Sequence, residues 1–307
     1  MQDATWWERI KGWLFHAFPH HLVSRITFRL ARLDTPLKDT VTRLFIRAFN
    51  VDMSEAAEPD PRRYASFNAF FTRALKSGAR PVASGVDAIA SPADGAISQL
   101  GEIEAGRIFQ AKGQSFSVLE LLGGSAARAA PFTHGKFCTI YLSPRDYHRV
   151  HMPLDGRLKE MVHVPGRLFS VSQYATRVIP RLFARNERMA AIFDTACGPM
   201  AVVMVGAVNV SAIETVWAGL VTPPAGKGVR SIDYTRDAAA AVRLERGEEM
   251  GRFNMGSTAI VLFGDRRVAW DAGLRVDMPV KMGEAIGRAA FVSRRADHAV
   301  SQENAIA

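Results

Sequence analysis

The stretch TACGPMAVVMVGAVNVSAI, residues 195–213, contains no charged side chain and decides how the chain is expected to fold. Its length approaches that of a membrane-spanning helix, which is the alternative reading. Gly198, Pro199 and Asn209 disfavour a continuous helix, and the three valines within residues 202–205 suit a pleated, buried surface. We therefore predict two buried β-strands in this stretch.

Other short apolar runs outside this stretch are also bounded by glycines and polar residues, as at residues 139–142 and 259–263. The connections between the runs are too short and irregular for repeated βαβ units. We predict an α+β protein, in which N-terminal amphipathic helices precede a β-rich domain built on antiparallel or mixed sheets.

The N-terminal region has apolar residues at helical spacing from Trp6 to Leu33, interrupted at Pro19. Between residues 9 and 33 there is no acidic side chain, and five are cationic: Arg9, Lys11, Arg25, Arg29 and Arg32. This pattern suits two interfacial membrane helices, or else a basic solvated face that packs on the core. We expect a further helix over residues 37–49, a helical region at 1–63 and a β-rich domain at 64–307. We expect a loosely ordered tail from Arg294.

The composition is that of a globular chain, with 48% hydrophobic and 22% charged residues among 307. The formal charge of +9 favours an anionic partner, but charge alone does not choose among nucleic acid, acidic lipid and a phosphorylated substrate. Cys138 and Cys197 lack CxxC spacing and are expected to be buried free thiols. We find no secretory signal pattern and expect a reducing, cytoplasm-facing environment.

Two segments carry candidate acid–base residues. In Ser91-Pro92-Ala93-Asp94-Gly95, Asp94 lies in a turn, where an aspartate also commonly caps the backbone. Residues 143–153 form a polar segment with His148 and His151, either of which suits general acid–base chemistry near neutral pH. An HxxH pair suggests a metal, but residues three apart on an extended segment point to opposite faces, and no metal is expected.

The third candidate is Met255-Gly256-Ser257-Thr258, which precedes a strand-like run. A glycine before a hydroxyl residue lets the nucleophile approach the preceding carbonyl without a Cβ in the way. By itself this tetrapeptide is also typical of an ordinary turn.

Together these segments resemble the pyruvoyl-dependent phosphatidylserine decarboxylases of bacterial type. The likeness extends from about Phe67 to Arg288 and includes these ordered motifs: FNAFFTRALK, SPADG, QAKGQSF, YLSPRDYHRVHMP, LFARNER, VGAVNVSAIETVWAG and MGST. Two positions depart from the common family pattern: Met255 stands where leucine is usual, and Ser172 where asparagine is frequent.

The resemblance implies that Asp94, His151 and Ser257 form a charge-relay set for self-cleavage between Gly256 and Ser257. The products would be a β chain, 1–256, and an α chain, 257–307, with Ser257 converted into a pyruvoyl group. This covalent pyruvate would form a Schiff base with phosphatidylserine and yield phosphatidylethanolamine, a step of phospholipid biosynthesis. His148 would act in the decarboxylation, as proton donor or contact to the substrate carboxylate.

The implied partners are phosphatidylserine in an anionic membrane and the protein's own two chains, as a heterodimer. A higher oligomer stays open and nucleic acid is not expected. The implied location is the cytoplasmic face of the cell membrane, as a peripheral protein.

Three other functions compete with this one. A Ser-His-Asp hydrolase would use the same residues without cleaving itself. A basic membrane-binding module would have no catalysis. A pyruvoyl enzyme could also act on a soluble amino acid.

Overall fold

The computed structural model describes residues 20–111, 113–207, 212–222, 228–237, 241–254, 257–264 and 267–290. Short helices lead into antiparallel sheets, which confirms the predicted α+β class. The predicted helix before Pro19, the tail from Arg294 and the strand residues 208–211 lie outside the described residues.

Seven α-helices are described: α1 His20–Leu30, α2 Leu37–Phe49, α3 Phe67–Phe71, α4 Val118–Leu121, α5 Ala126–Ala129, α6 Gln173–Val178 and α7 Leu182–Arg185. Two 3-10 turns span Pro61–Arg63 and Ala130–Phe132. The bounds of α2 coincide with the predicted helix. Asp39 in its first turn and Arg47 in its last complement the helix dipole, and Asn50, at a left-handed φ of 52°, ends it.

The described strands in the first half of the chain are β1 Ala88–Ala90, β2 Gly95–Glu102, β3 Arg107–Ala111, β4 Gln114–Ser117, β5 Lys136–Leu142, β6 Arg149–His151 and β7 Gly156–Val164. Those that follow are β8 Arg188–Thr195, β9 Gly198–Val205, β10 Ala212–Thr215, β11 Gly219–Leu220, β12 Arg230–Asp233, β13 Arg243–Leu244, β14 Glu249–Asn254, β15 Ser257–Phe263, β16 Val268–Trp270, β17 Pro279–Val280 and β18 Ala285–Ala289.

The main sheet has the order β12-β7-β8-β9-β15-β5-β2-β17, and β13 also pairs with β7. All pairings between these strands are antiparallel. In β9 the side chains from Met200 to Val205 are buried, because both faces of the sheet are covered there. Of the two buried strands predicted in residues 195–213, the first is confirmed as β9, and only the last two residues of the second, Ala212 and Ile213, are described, at the start of β10. Among the described helices, none has the length and apolar character needed to cross a bilayer.

A second sheet has the order β11-β10-β14-β6, and smaller sheets contain β1-β18-β16 and β3-β4. Strand β14 of the second sheet ends at Asn254 and strand β15 of the main sheet begins at Ser257. The chain therefore changes sheets across residues 255–256, which lie outside the described residues.

The N-terminal region up to α3 has a separate small core made of Ala31, Val51 and the phenylalanines of α3, with Phe45 against it, whereas the buried apolar residues of α4 to α7 belong to the main core. The ring centroids of Phe45 and Phe67 lie 5.2 Å apart. Residues from both sides of position 63 contribute to this small core. The predicted domain boundary at that position stays a prediction. Both cysteines are free and buried as expected, and burial raises the pKa of the Cys138 thiol to about 12.

Candidate active site

Three strand ends of the main sheet meet at one edge. Strands β2 and β15 flank β5, and Tyr141 of β5 is paired with Ala96 on one side and Thr258 on the other. Because both pairings are antiparallel, β2 and β15 start at the edge where β5 ends. Adjacent strands lie about 4.8 Å apart, so Ala96 and Thr258 are about 10 Å apart across β5. Ser257 directly precedes Thr258 and Asp94 lies two residues before Ala96, so both are brought to the same edge.

Asp94 is buried and is held by a guanidinium. Its two oxygens accept from Nε of Arg80 at 2.9 and 3.1 Å and from Nη2 at 2.6 Å, and the amide of Met282 donates to Oδ1 at 2.8 Å. The next residue, Gly95, lies so close to the carbonyl of Tyr141 that a Cβ there would collide with it. Glycine at 95 thereby lets the Asp94 turn approach the end of β5.

His151 is oriented by backbone. Its Nδ1 lies 2.8 Å from the carbonyl oxygen of Gly247, which only accepts, so Nδ1 carries the proton. Nε2 is then the basic atom, and it accepts from the hydroxyl of Tyr147 at 3.0 Å. Burial, the largest cause, lowers the pKa of His151 and favours this neutral form.

The expected contact from Asp94 to His151 is not the one that orients this ring. The Asp94 oxygens bind Arg80 and the Met282 amide, and the Gly247 carbonyl occupies the position in which a carboxylate was expected. The two segments nevertheless adjoin, because the amide of His151 donates to the carbonyl of Pro92 at 2.8 Å. Asp94 still contributes a field at His151 that favours the charged imidazole.

His148 is completely buried, and its ring centroid lies 4.1 Å from that of Phe71. Nδ1 lies 2.7 Å from the carbonyl oxygen of Asp146 and so carries the proton. Nε2 is buried without a hydrogen-bond partner in the described part of the chain. Burial lowers the pKa of His148 to about 3, so this side chain is neutral and presents an acceptor. As a proton donor it would first have to take up a proton.

Of the expected cleavage site, Gly256 lies outside the described residues, and for Ser257 the structure describes only the backbone. Ser257 opens β15 and is paired with Leu142. The neighbouring Thr258 has a buried Oγ1 that has no hydrogen-bond partner among the described residues.

A cavity of about 550 Å³ opens beside this edge. Its lining includes Asp94, Tyr141, Ser143 and Tyr147. Over the described residues there is no cluster of three or more histidine, cysteine or carboxylate side chains suited to hold a metal ion. The described residues at this edge offer a neutral imidazole and a buried carboxylate–guanidinium pair.

Sequence reasoning did not identify three of these groups. Arg80 was visible only as the residue before Pro81, and Tyr147 only as part of a motif. Both are residue types that recur at buried polar sites, and a buried carboxylate at Asp94 signals a cationic partner. The Gly247 carbonyl could not be identified from the sequence, because every residue has a backbone carbonyl.

The N-terminal helical region is hydrogen-bonded to the end of β14, the strand that leads into residue 255. Nη2 of Arg32 donates to Oδ1 of Asn254 at 3.1 Å, and Nδ2 of Asn68 donates to the same oxygen at 2.9 Å. The guanidinium of Arg32 also lies 3.6 Å from the ring centroid of Phe28. The helices are thus connected through Asn254 to the last described residue before the expected cleavage site.

Comparisons with known proteins agree with the motifs. The profile of the phosphatidylserine decarboxylase family matches residues 67–288, and a second profile, described as PSD, matches residues 10–50. The chain is 57% identical over 279 residues to a phosphatidylserine decarboxylase proenzyme of Stutzerimonas stutzeri, covering 91% of this chain and 94% of that protein. It is 60% identical over 269 residues to the proenzyme of that name from Bordetella pertussis, with 87% and 90% covered. The corresponding Pseudomonas aeruginosa protein is 59% identical over 272 residues, with 88% and 94% covered.

Proposed function

The chain belongs to the phosphatidylserine decarboxylase family, and from this premise we propose that it is a proenzyme that converts phosphatidylserine into phosphatidylethanolamine and carbon dioxide after cleaving itself before Ser257. The observation that carries the proposal is the common edge at which Asp94, Ser257 and the segment with His151 meet beside a cavity. The sequence motifs and this geometry support the same candidate residues.

Self-cleavage needs a base for the Ser257 hydroxyl. Nε2 of His151 is that base, because its Nδ1 proton is fixed on the Gly247 carbonyl and burial keeps the ring neutral. As the Ser257 oxygen bonds to the Gly256 carbonyl carbon, the bond from that carbon to the Ser257 nitrogen breaks, and the chain becomes an ester. The negative charge of Asp94 then favours the imidazolium that forms.

Elimination completes the cleavage. Loss of the α-proton of residue 257 breaks its Cβ–O bond and releases Gly256 as a carboxylate, leaving dehydroalanine. Addition of water and loss of ammonia then give a pyruvoyl group at the new N-terminus. Atoms balance with one water consumed and no external oxidant or reductant.

The surroundings of position 257 fit this group. Tyr141, the cross-strand partner of Thr258 in β15, lines the cavity. Oγ1 of Thr258 and Nε2 of His148 are buried polar atoms that have no partner among the described residues. When present, the pyruvoyl carbonyl supplies the electron sink that decarboxylation of an amino acid needs. His148, as a neutral acceptor, would receive a proton from the substrate and return it at the carbon that loses carbon dioxide.

Membrane placement is part of the proposal. Helices α1 and α2 expose seven large apolar side chains to solvent, and Leu33 between them is an eighth; those in the helices are Leu22, Ile26, Leu30, Leu37, Val41, Leu44 and Phe49. An apolar groove of about 420 Å³ lies between the helices and is lined by Leu30, Leu33 and Leu37 among others. Monomeric proteins rarely expose such a patch without a binding surface to cover it, and α1 also carries cations suited to an anionic leaflet. The proposed location is the cytoplasmic face of the cell membrane.

The test is release of labelled carbon dioxide from phosphatidylserine vesicles by the purified protein. We expect turnover by the unmutated protein, none by Ser257→Ala and none on free serine. Turnover by Ser257→Ala would contradict the pyruvoyl proposal, and equal turnover of free serine would contradict the lipid substrate.

A further inference from the structure

The cavity beside the site contains cations that differ in how their charge is compensated. Arg80 is paired with Asp94 and with Glu55, to which its Nη2 donates at 2.6 Å. Lys281 also pairs with Glu55, at 3.1 Å. Arg145 is largely exposed, with 66% of its side chain accessible, and so carries a well-hydrated charge.

Arg73 is the exception among these cavity cations. It lines the cavity and is only 4% exposed. Its Nη2 donates to the carbonyl of Arg145 at 3.2 Å, and its Nε is buried without a partner. Among the described residues, no carboxylate lies within ion-pairing distance of it. Burial lowers its pKa, yet an arginine stays protonated in proteins.

A buried guanidinium without an ion pair costs stability. The Phe70 ring, whose centroid lies 5.5 Å from the guanidinium carbon, and the more distant carboxylates compensate its charge only in part, which indicates a ligand that supplies negative charge. Three of the four cavity cations are therefore accounted for by protein carboxylates or solvent, and Arg73 is not.

Arg73 lies alongside the segment that carries the reaction residues. The two residues before Arg73 contact successive residues of that segment. Phe71 contacts the ring of His148, and the carbonyl of Thr72 accepts from Nε of Arg149 at 3.0 Å. The loop that begins at Ser143 directly follows Leu142, the partner of Ser257. Three residues of chain span at most about 11 Å, and paired residues of neighbouring strands lie about 5 Å apart, so Arg145 lies within about 16 Å of position 257.

We propose that Arg73 binds the phosphodiester of the phosphatidylserine headgroup and so sets the distance between that phosphate and residue 257. The inference rests on the proposed function and names the headgroup site within it. A guanidinium and a phosphate form paired, charge-assisted hydrogen bonds, and the four donor hydrogens that Arg73 does not use in the structure are available for them.

The substrate's carboxylate is the other candidate ligand, and the chemistry argues against it. That carboxylate loses its charge as carbon dioxide departs, so a cation bound to it would stabilise the reactant more than the transition state. The phosphodiester keeps its charge throughout.

The experiment compares Arg73→Met and Arg73→Lys with Arg145→Ala as the matched control. Because Arg73 is buried and unpaired, Arg73→Met is expected to fold and to have an unfolding midpoint at least as high as the unmutated protein. It should cleave itself at the normal rate. Its KM for phosphatidylserine should rise roughly 10- to 100-fold with kcat changed less than about threefold, as expected for loss of a hydrogen-bonded charge that binds both states equally. The KM of Arg73→Lys should lie between those of the unmutated protein and Arg73→Met. Arg145→Ala should change KM less than about threefold.

A binding measurement separates phosphate from carboxylate without relying on turnover. Calorimetric titration uses glycerophosphoethanolamine, which has the phosphodiester and no carboxylate. The dissociation constant of this compound should rise in Arg73→Met by the same factor as KM. Weakening only for glycerophosphoserine, a fall in kcat with KM unchanged, or unaltered binding of both compounds would each overturn the assignment. If the unmutated protein fails to decarboxylate phosphatidylserine, the proposed function fails, and the titration still decides whether Arg73 binds a phosphodiester.

Discussion

The hydroxyl of Tyr147 lies 3.0 Å from Nε2 of His151, the atom that self-cleavage requires as a base. Burial raises the pKa of Tyr147 to about 12, so this group remains a phenol and donates. Tyr147 lines the cavity. The hydroxyl therefore occupies the lone pair of His151 until the Ser257 proton arrives.

Removal of this hydroxyl should speed the cleavage. In Tyr147→Phe, Nε2 of His151 no longer has to give up the hydrogen bond from Tyr147 before it accepts one from Ser257. The activation free energy of cleavage should fall by about 1 kcal/mol, which raises the rate up to roughly fivefold. The measurement is a time course of chain cleavage after cell-free synthesis, with Tyr64→Phe as the control because its hydroxyl donates to the Glu58 carbonyl and not to His151. A tenfold slower cleavage would show that Tyr147 passes the proton on instead of competing for the base.

Arg80 and Asp94 should show strong coupling in stability. Their side chains are 5% and 9% exposed, so Arg80→Met leaves a buried carboxylate without its cation. We expect the free energy of unfolding to fall by about 3 kcal/mol, and Arg80→Met combined with Asp94→Asn to recover most of that loss. Urea unfolding in a Ser257→Ala background, which keeps one chain, measures both. Equal losses in the single and double variants would contradict the coupling.

His148 should make the protein sensitive to acid. Its pKa is about 3 in the folded state and 6.5 as the ordinary value, so at pH 7 both states are neutral and the group contributes no pH dependence. Below pH 6.5 the unfolded chain binds a proton that the folded chain cannot, and the free energy of unfolding falls by up to about 1.4 kcal/mol per pH unit until pH 3.

The measurement is urea unfolding between pH 7 and 4, again with Ser257→Ala. His148→Asn keeps a neutral donor for the Asp146 carbonyl and removes the titration, so its slope against pH should be shallower by about one proton. Identical slopes in the two proteins would show that His148 does not remain neutral in the folded state.

The exposed face of α1 should determine binding to vesicles. Leu22 is 58% exposed and Ile26 is 49% exposed, and each would contribute about 1.5 kcal/mol or more on burial in lipid. The double variant Leu22→Gln, Ile26→Gln should bind phosphatidylserine vesicles at least about tenfold more weakly in flotation assays. Val86→Gln, at an exposed position in the β-rich domain, is the control. Unchanged binding of the double variant would remove α1 from the membrane surface.

Local sequence patterns were sufficient to predict individual helices and strands. The helix at residues 37–49 has clear apolar periodicity and a left-handed end at Asn50, and the apolar run at residues 259–263 falls within β15. The order of the sheet was not predictable, because β15 lies between β9 and β5, and no single-sequence pattern specifies partners so distant along the chain.

The candidate site was predicted in its composition but not in its hydrogen bonds. Motifs identified Asp94, His148 and His151, and the hydrogen bond from the His151 amide to the Pro92 carbonyl joins the two segments that carry them. The ring of His151, however, is oriented by a backbone carbonyl 96 positions away, at Gly247, and Asp94 is neutralised by Arg80. Backbone acceptors carry no residue identity, so this arrangement required the three-dimensional structure.

The central claim is that the bond between Gly256 and Ser257 breaks and that residue 257 becomes the reactive carbonyl. Intact-mass measurement of the purified active protein under denaturing conditions tests it most directly. The account predicts two chains, residues 1–256 with a free C-terminal carboxylate and residues 257–307 with a pyruvoyl group in place of the N-terminal serine. A single chain of 307 residues in protein that decarboxylates phosphatidylserine would contradict it.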